Sequence, residues 1–168
     1  MDALPPELTD AGVALRPECA EDRAFLIDLY AAERADELAF APWSPLEKVR
    51  FIADQFRGQR EHYRAAMPDG DFLIVERDRH VIGRLYLDRC GRTWRIAEIA
   101  LIEAERGRGV GRALIRWVQA GVEAAGARGV DLHLTPDNLA ARSLYERLGF
   151  REAASGSAAR IAMRWTVS

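Results

Sequence analysis

A glycine- and arginine-rich stretch in the second half of the chain has the composition of a phosphate-binding turn. It follows an apolar, strand-like segment (96–102) and leads into a long amphipathic segment typical of a helix. Glycine has no Cβ, so its backbone N–H can approach a ligand closely. The first turn of a helix adds unpaired N–H groups and the positive end of the dipole, which together favour phosphate. The residues that would form this site are Arg106, Gly107, Arg108, Gly109, Val110, Gly111 and Arg112.

The spacing of these residues excludes two common phosphate-binding motifs. A P-loop requires a Lys-Ser or Lys-Thr pair after its last glycine, and none is present. A dinucleotide fingerprint requires a third glycine three residues after Gly109, where the chain has Arg112. The pattern that remains is R-x-x-G-x-G, formed by Arg106, Gly109 and Gly111. Taken alone, it is equally compatible with a tight glycine turn that carries solvated arginines.

A second segment, DNLAARSLYERLGF at residues 137–150, has spacing that also makes mechanical sense. Asn138 is a residue type that caps helix N-termini. Tyr145 follows seven residues later, two helical turns on and on the same face. Gly149 is of the type that ends a helix. The segment therefore predicts a helix that holds Asn138 and Tyr145 along one side.

These two segments together resemble the GNAT-type N-acetyltransferases. In that family R-x-x-G-x-G holds the pyrophosphate of acetyl-CoA, and N-x-x-A-x-x-x-Y-x-x-x-G-F follows the next strand. The resemblance covers residues 72–166 well and residues 13–67 loosely. It implies acetyl-CoA as cosubstrate, no metal, and a mixed α/β (α+β) fold. That fold has a mainly antiparallel sheet of about seven strands flanked by four helices.

Hydrophobic periodicity along the chain gives the same element order, β-α-α-β-β-β-α-β-α-β-β. The first two helices are expected at 20–38 and from Ser44 to 67, the second opened by the capping sequence Ser44-Pro45-Leu46-Glu47. A strand meander is expected over 72–102, and a last hairpin around 155–157. Residues 1–12 are expected to be a flexible tail and residues 13–168 a single N-acetyltransferase domain.

The bulk composition excludes several classes of function. The 168 residues include 24 Lys plus Arg and 26 Asp plus Glu, so a net charge of −2 gives no general attraction to nucleic acid. No apolar run has the length of a membrane span, and the start, MDALPPELTDAG, lacks the pattern of a signal peptide. Cys19 and Cys90 are distant and form no C-x-x-C pair, which favours reduced thiols. We therefore expect a cytoplasmic protein with neither nucleic-acid nor membrane partners.

Acyl transfer from a thioester to an amine requires a deprotonated, neutral amine, a stabilised oxyanion and a proton for the leaving thiolate. The resemblance places the Tyr145 hydroxyl near the CoA sulfur as the proton donor. A tyrosine with an ordinary pKa of about 10 is protonated at neutral pH, as a donor must be. The alternative is a tyrosine that packs on the sheet with its hydroxyl in water.

Three candidates remain for the base. Many family members carry a glutamate eleven positions before the first residue of the phosphate loop; that position is Arg95 here, and Glu98 is eight before Arg106. A shift of three residues along a strand places a side chain on the opposite face of the sheet, which argues against Glu98 as the base. The alternative is that Glu98 pairs with an arginine or faces solvent. His133 occupies the place of a glutamate base in a subgroup that acetylates ribosomal-protein alanine. The third candidate is an ordered water.

The resemblance also implies a role for the backbone of Ile99, Ala100 and Leu101, which would pair with the pantetheine arm like an added strand. The acceptor site is expected between the first two helices and the meander, where the available side chains are Asp36, Glu37, Trp43, Tyr63 and Tyr86. The acceptor would be a small amine, an amino acid or a protein N-terminus, attacking directly in a ternary complex, and the fold is frequently a homodimer. Two alternatives are transfer of another acyl group and a non-catalytic CoA-binding regulatory module.

Overall fold

One twisted sheet runs through the protein in the computed structural model, which describes residues 4–154 and 159–167. Its strands lie in the order β1-β2-β3-β4-β5-β7-β6, and every neighbouring pair is antiparallel except β4 and β5. Within those residues the strands are β1 (Val13–Pro17), β2 (Asp71–Arg77), β3 (His80–Asp88), β4 (Thr93–Leu101), β5 (Gly129–Leu134), β6 (Arg151–Ala153) and β7 (Ile161–Thr166). The predicted mixed α/β fold with a mainly antiparallel sheet is confirmed.

Among the described residues, four main α-helices and two short ones flank this sheet. They are α1 (Pro6–Thr9), α2 (Arg23–Ala32), α3 (Ala35–Ala39), α4 (Pro45–Ala66), α5 (Val110–Ala124) and α6 (Leu139–Arg147). The main helices α2, α4, α5 and α6 correspond to the four expected from the sequence. No helix in the described part of the chain combines the length and apolar composition needed to span a bilayer.

Alternation along the strands divides the core into two parts. On β2, Leu73 and Val75 belong to a large cluster that includes residues of α5 and α6, whereas Ile74 belongs to a smaller cluster with residues of α2 and α4. Successive side chains of a strand point to opposite faces, so the two clusters lie on opposite sides of the sheet. Helices α2 and α4 therefore cover one face, and α5 and α6 cover the other.

The start of α4 has the capping arrangement predicted from its sequence. The Glu47 N–H donates to Ser44 Oγ at 3.3 Å, and the Ser44 N–H donates to Glu47 Oε2 at 2.7 Å. Such reciprocal bonds satisfy two of the N–H groups that a helix start leaves unpaired. They fix where α4 begins, and hence which of its residues face the sheet.

Two predictions about the first forty residues require correction. The helix expected over 20–38 is broken, because Arg34 leaves helical geometry between α2 and α3 with φ −116° and ψ 11°. Its guanidinium lies 3.7 Å from the Tyr30 ring centroid, and Glu33 forms an ion pair with Arg84, so tertiary contacts override helix propensity here. The expected tail at 1–12 is not loose over α1, because Leu8 packs into the larger core with 2% of its surface exposed. The turn expected at 155–157 lies outside the described residues.

Candidate functional site

Strands β4 and β5 part at the middle of the sheet, and this opens a gap between them. Their parallel pairing runs from Thr93 opposite Gly129 to Ile96 opposite Leu132 and ends there. Because the Ile102 N–H donates to the carbonyl of Ile82, alternation turns the backbone groups of Ile99 and Leu101 away from β3 and into the gap.

The same alternation determines which way the backbone groups of Ala100 and Leu101 point. Ala100 has its backbone turned towards its partner Arg84 on β3, so its predicted pairing with a ligand in the gap does not fit. Arg106 Nε donates to the Leu101 carbonyl at 2.9 Å, which occupies one of the groups at the end of the gap. The exposed backbone edge therefore consists mainly of Ile99 and the N–H of Leu101.

A β-bulge at Ala97 determines where Glu98 points. Tyr86 lies opposite Glu98, but its neighbour Leu87 lies opposite Ile96, so Ala97 is an extra residue in β4. An extra residue reverses the alternation of side chains beyond it. Arg95 and Glu98 therefore share the face covered by α2 and α4, and the reversal expected from their three-residue separation does not occur.

The Glu98 carboxylate lies in a polar cluster beside the gap, with 18% of its side chain exposed. Its Oε2 atom accepts a hydrogen bond from the Tyr63 hydroxyl at 2.8 Å and one from Gln59 Nε2 at 3.4 Å. Arg84 Nη2 is 3.7 Å from the same oxygen. The pairing with an arginine that the sequence left open is thus present. The ion pair leaves part of the Glu98 side chain exposed.

Tyr145 on α6 is positioned by the cap and by core packing. Asn138 Oδ1 accepts a hydrogen bond from the Ala141 N–H at 3.1 Å and so begins α6 in the predicted register. The Tyr145 ring packs against Phe150 with centroids 5.6 Å apart, and 7% of the residue is exposed. No described residue forms a hydrogen bond with its hydroxyl. Burial, assisted by the charge of Glu98, raises the pKa of Tyr145 to about 12, so its hydroxyl is protonated at neutral pH.

The glycine-rich turn has the backbone geometry that its composition predicts. Gly107 and Gly109 have φ of 71° and 86°, the left-handed region that favours glycine, and Gly109 is the N-cap of α5. A Cβ on Gly107 would meet no atom within 4 Å, and one on Gly109 would meet only the end of Arg112, at 3.9 Å. The start of α5 therefore presents an open surface of backbone N–H groups.

Arginine side chains surround the start of α5. A cavity of about 180 Å³ there is lined by Leu8, Ala11, Arg77, Arg108, Gly109, Val110, Arg112, Ala113 and Arg116. Glu105 partly neutralises this positive charge, because it pairs with Arg77 at 2.8 Å and with Arg108 at 3.5 Å. Of the three arginines expected at the phosphate site, Arg106 bonds the Leu101 carbonyl, Arg108 is shared with the Glu105 carboxylate, and Arg112 is exposed beside Gly109.

His133 lies exposed on β5. It lines a second cavity of about 180 Å³ at the point where β4 and β5 part, together with His62, Tyr63, Ala66, Met67, Arg95, Ile96, Ala97 and Arg160. Tyr63 belongs both to this cavity and to the Glu98 cluster. His133 and Glu98, the two predicted bases, are thus both close to the same tyrosine.

The side chains proposed for the acceptor site differ in their availability. Tyr63 touches the cluster directly, and Asp36 and Glu37 are exposed on α3. Trp43 stacks on Phe51 with centroids 4.9 Å apart. Tyr86 is only 1% exposed and donates a hydrogen bond to Glu18, so it supports the fold and does not line an open site.

Three residues of the Glu98 cluster were missed by the sequence reasoning, namely Arg84, Gln59 and Glu33. Arg84 had a visible signal, because a charge inside the apolar run of β3 is as unusual as Glu98 inside β4. Gln59 and Glu33 had none, since polar residues on helix surfaces are ordinary. Their place beside Glu98 depends on how α2 and α4 pack on the sheet.

Comparison with known proteins agrees with this geometry. Residues 33–150, more than two thirds of the chain, match the model of the acetyltransferase (GNAT) family. The fold is similar to that of PaiA N-acetyltransferase from Thermoplasma acidophilum in complex with coenzyme A, with a TM-score of 0.70, 17% identity and coverage of 92% of this chain and 99% of that one.

Two further solved structures share the fold. An acetyltransferase of the GNAT family from Desulfovibrio desulfuricans is 21% identical, with a TM-score of 0.64 and coverage of 93% of this chain and 99% of that one. A chimera of the spermidine N-acetyltransferase SpeG from Vibrio cholerae with hSSAT is 22% identical, with a TM-score of 0.63 and coverage of 92% of this chain and 95% of that one. The match over most of the sequence shows the family: this chain belongs to the GNAT family of acetyltransferases.

Proposed function

We propose that the protein transfers an acetyl group from acetyl-CoA to a primary amine by direct attack within a ternary complex. The observation that carries this proposal is the convergence of Glu98 and Tyr145 on the gap between β4 and β5. The gap leads along the exposed backbone of Ile99 to the glycine-rich start of α5. Acyl transfer is the reaction class of the family, and nitrogen is the acceptor atom named for two of the similar structures.

The gap and the turn fit acetyl-CoA. The start of α5 offers N–H groups and arginines to a diphosphate, with no Cβ in the way at Gly107 and Gly109. The free backbone groups of Ile99 and Leu101 offer a pairing edge to the amide-containing pantetheine arm. A ligand held at both places would have its thioester carried along the gap towards Tyr145.

The chemistry that we assign to the side chains balances in protons. Glu98 takes a proton from the acceptor ammonium, directly or through a water, and so frees the nitrogen lone pair. A carbon–nitrogen bond then forms and the carbon–sulfur bond breaks. Tyr145, which is protonated at neutral pH, donates its proton to the departing thiolate. The second proton that the acetylated nitrogen loses returns to the Tyr145 oxygen, and Glu98 releases to solvent the proton that it took. No covalent intermediate on the protein is needed, because binding both substrates makes the attack effectively unimolecular.

We assign the base to Glu98 rather than His133 because of where the two side chains lie. Glu98 is in the cluster beside the gap with only 18% of its side chain exposed, and its charge adds to the effect of burial that raises the pKa of Tyr145, whereas His133 is exposed on β5. The alternative base, His133, lines the neighbouring cavity and serves as a control.

The acceptor that this cluster favours is cationic. The carboxylate of Glu98 lies beside the gap, and Asp36 and Glu37 add exposed carboxylates on α3, where the acceptor is expected. An ammonium group would offset that charge. The acceptor named for one of the similar structures, spermidine, is such a cation.

The direct test is CoA release measured with acetyl-CoA and a panel of amines that includes polyamines, amino acids and short peptides. We expect turnover with at least one cationic amine, and intersecting lines when both substrates are varied. Tight acetyl-CoA binding without turnover on any amine would instead favour the non-catalytic CoA-binding module. Preference for a longer acyl-CoA would favour the alternative acyl group, and parallel lines would contradict the ternary complex.

A further inference from the structure

A fully buried arginine lies at the centre of the Glu98 cluster. Arg84 is 0% exposed, and its Nη2 atom lies 3.7 Å from Glu98 Oε2 and 3.6 Å from Glu33 Oε2. The same atom donates a hydrogen bond to Gln59 Oε1 at 3.4 Å. One guanidinium nitrogen therefore serves two carboxylates and an amide at once.

The remaining nitrogens of this arginine are not satisfied. Nε and Nη1 of Arg84 are buried and have no hydrogen-bond partner among the described residues. A buried charge with incomplete hydrogen bonding destabilises a fold compared with a well-packed apolar side chain. Stability alone therefore does not explain an arginine at this position of β3, where Ile74 is its partner on β2.

The position of Arg84 is explained by what it does to its neighbours. Arg84 faces Ile74 on one side and Ala100 on the other, two residue positions along β4 from Glu98. Without a cation there, the carboxylates of Glu33 and Glu98 would lie together in a poorly hydrated space, and one of them would take up a proton. A protonated Glu98 cannot accept a proton from an amine.

Several other groups act on Glu98 besides Arg84. Gln59 and Tyr63 bind its carboxylate from α4, and Tyr145 approaches from α6. Burial raises the pKa of Glu33, and the charge of Glu98 raises it further, so the two carboxylates interact. The charged and titratable groups facing the cluster are Tyr30, Glu33 and Arg34 of α2, Tyr63 of α4, Arg84 and Tyr86 of β3, Arg106 of the turn and Tyr145 of α6.

We propose that Arg84 is a positioning residue, which keeps the Glu98 carboxylate ionised and fixed at the bulge while Glu33 competes for the same guanidinium. This inference rests on the proposed function in one respect, the role of Glu98 as the base. It assigns opposite effects to two neighbours of Glu98: Arg84 favours its charged form, and Glu33 disfavours it.

The test follows the titration of Glu98 itself. In protein labelled with ¹³C at the glutamate carboxyl carbons, the Glu98 signal is identified by its loss in Glu98→Gln. We expect Arg84→Gln to move the titration midpoint of Glu98 upward by about 1–3 pH units, and Glu33→Gln to move it downward. Arg84→Lys keeps the charge and should leave the midpoint close to that of the wild type.

A matched control comes from Arg16, whose guanidinium also bridges two carboxylates, those of Asp22 and Glu76, on the edge strand β1. Arg16→Gln should reduce stability without moving the Glu98 midpoint. An unchanged midpoint in folded Arg84→Gln would overturn the proposal. If Arg84→Gln does not fold, an upward or absent shift in Glu33→Gln overturns it equally.

The kinetic profile separates this inference from the proposed function. In Arg84→Gln and in Glu33→Gln, the acid limb of the profile of kcat against pH should shift in the same direction as the titration midpoint of Glu98. The affinity for acetyl-CoA should stay constant in both variants. If the carbon signal moves and the kinetic limb does not, Arg84 controls Glu98 as proposed, and the assignment of Glu98 as the base is the part that fails.

Discussion

Removal of the Tyr145 hydroxyl should change little in the folded protein and much in the proposed reaction. This hydroxyl has no hydrogen-bond partner among the described residues, and the rest of the side chain is packed in the core. Tyr145→Phe should therefore keep the unfolding midpoint and the acetyl-CoA affinity close to wild type. We expect kcat to fall about 100-fold, the usual contribution of a positioned acid. Steady-state kinetics with calorimetry checks this, and full activity would exclude Tyr145 as the acid.

The two candidate bases make separate predictions. Glu98→Gln should lower kcat about 100-fold or more and flatten the rising limb of the pH–rate profile, because the amide cannot accept the proton. His133→Gln, at an exposed position beside the same cavity, should retain most of the activity and the limb. The opposite result would assign the base to His133. Near-normal rates in both variants would leave water as the base.

How far the sequence predicts the site differs from residue to residue. Asn138 and Tyr145 were predictable because helical spacing alone places them on one face. The orientation of Glu98 was not predictable. Uninterrupted alternation along β4 would turn its side chain to the other face, and the bulge at Ala97 that prevents this depends on pairing with β3. Arg84 was missed although it carried the same signal as Glu98, a charge within an apolar strand.

At the scale of elements, the start of α5 depends on the left-handed backbone of Gly109. Gly109→Val would place a side chain where we expect phosphate, and would cost about 1–2 kcal/mol of folding stability from the unfavourable φ. Gly126→Val is the matched control, because Gly126 follows the other end of α5 with φ +64° and open space around it.

Both glycine variants should lose similar stability in thermal unfolding, but only Gly109→Val should lose acetyl-CoA binding by calorimetry. Binding that survives in Gly109→Val would show that the diphosphate is held elsewhere. Loss of binding in both variants would point to a general effect of strain on α5.

The junction between β1 and α2 gives a prediction about pH. Arg16 donates to both carboxylate oxygens of Asp22 at 2.7 and 2.6 Å, and these bonds hold the pKa of Asp22 below its usual range. A carboxyl whose pKa is lowered by folding stabilises the protein above its unfolded pKa of about 3.9, and this contribution is lost as the pH falls below that value.

Asp22→Asn should therefore be less stable than wild type at neutral pH, by about 1–3 kcal/mol for a lost charged hydrogen bond. The difference should narrow as the pH is lowered from about 5 towards about 3, since only the wild type has this contribution to lose. Urea unfolding across that range measures it. A constant difference would mean that Asp22 acts through packing and not through its charge.

Element boundaries were predictable where the signal is local. The capping box at Ser44 placed the start of α4, and the strand meander followed from alternation and turn residues. The break between α2 and α3 was not predictable, because it arises where Arg34 stacks on Tyr30 and Glu33 reaches Arg84. The second of these contacts joins residues about fifty positions apart in sequence, which only the packing of α2 on the sheet brings together.

At the scale of the molecule, the site exists because β4 and β5 stop pairing. The gap lets Tyr145, which packs on one face of the sheet, approach Glu98, which points to the other. The sequence of neither strand by itself predicts this arrangement of Tyr145 and Glu98. The parallel register ends at Ile96 opposite Leu132, and this end depends on how both strands sit in the sheet. The single domain over 13–168, the homodimer and the cytoplasmic location remain predictions.

The central claim is that acetyl-CoA lies in this gap, with its diphosphate on the start of α5 and its sulfur beside Tyr145. A crystal structure of the complex with CoA measures this directly, through the distance from the CoA sulfur to the Tyr145 hydroxyl. We predict hydrogen-bond contact, with the pantetheine arm paired to Ile99. A sulfur far from Tyr145, or a coenzyme bound outside the gap, would contradict the account.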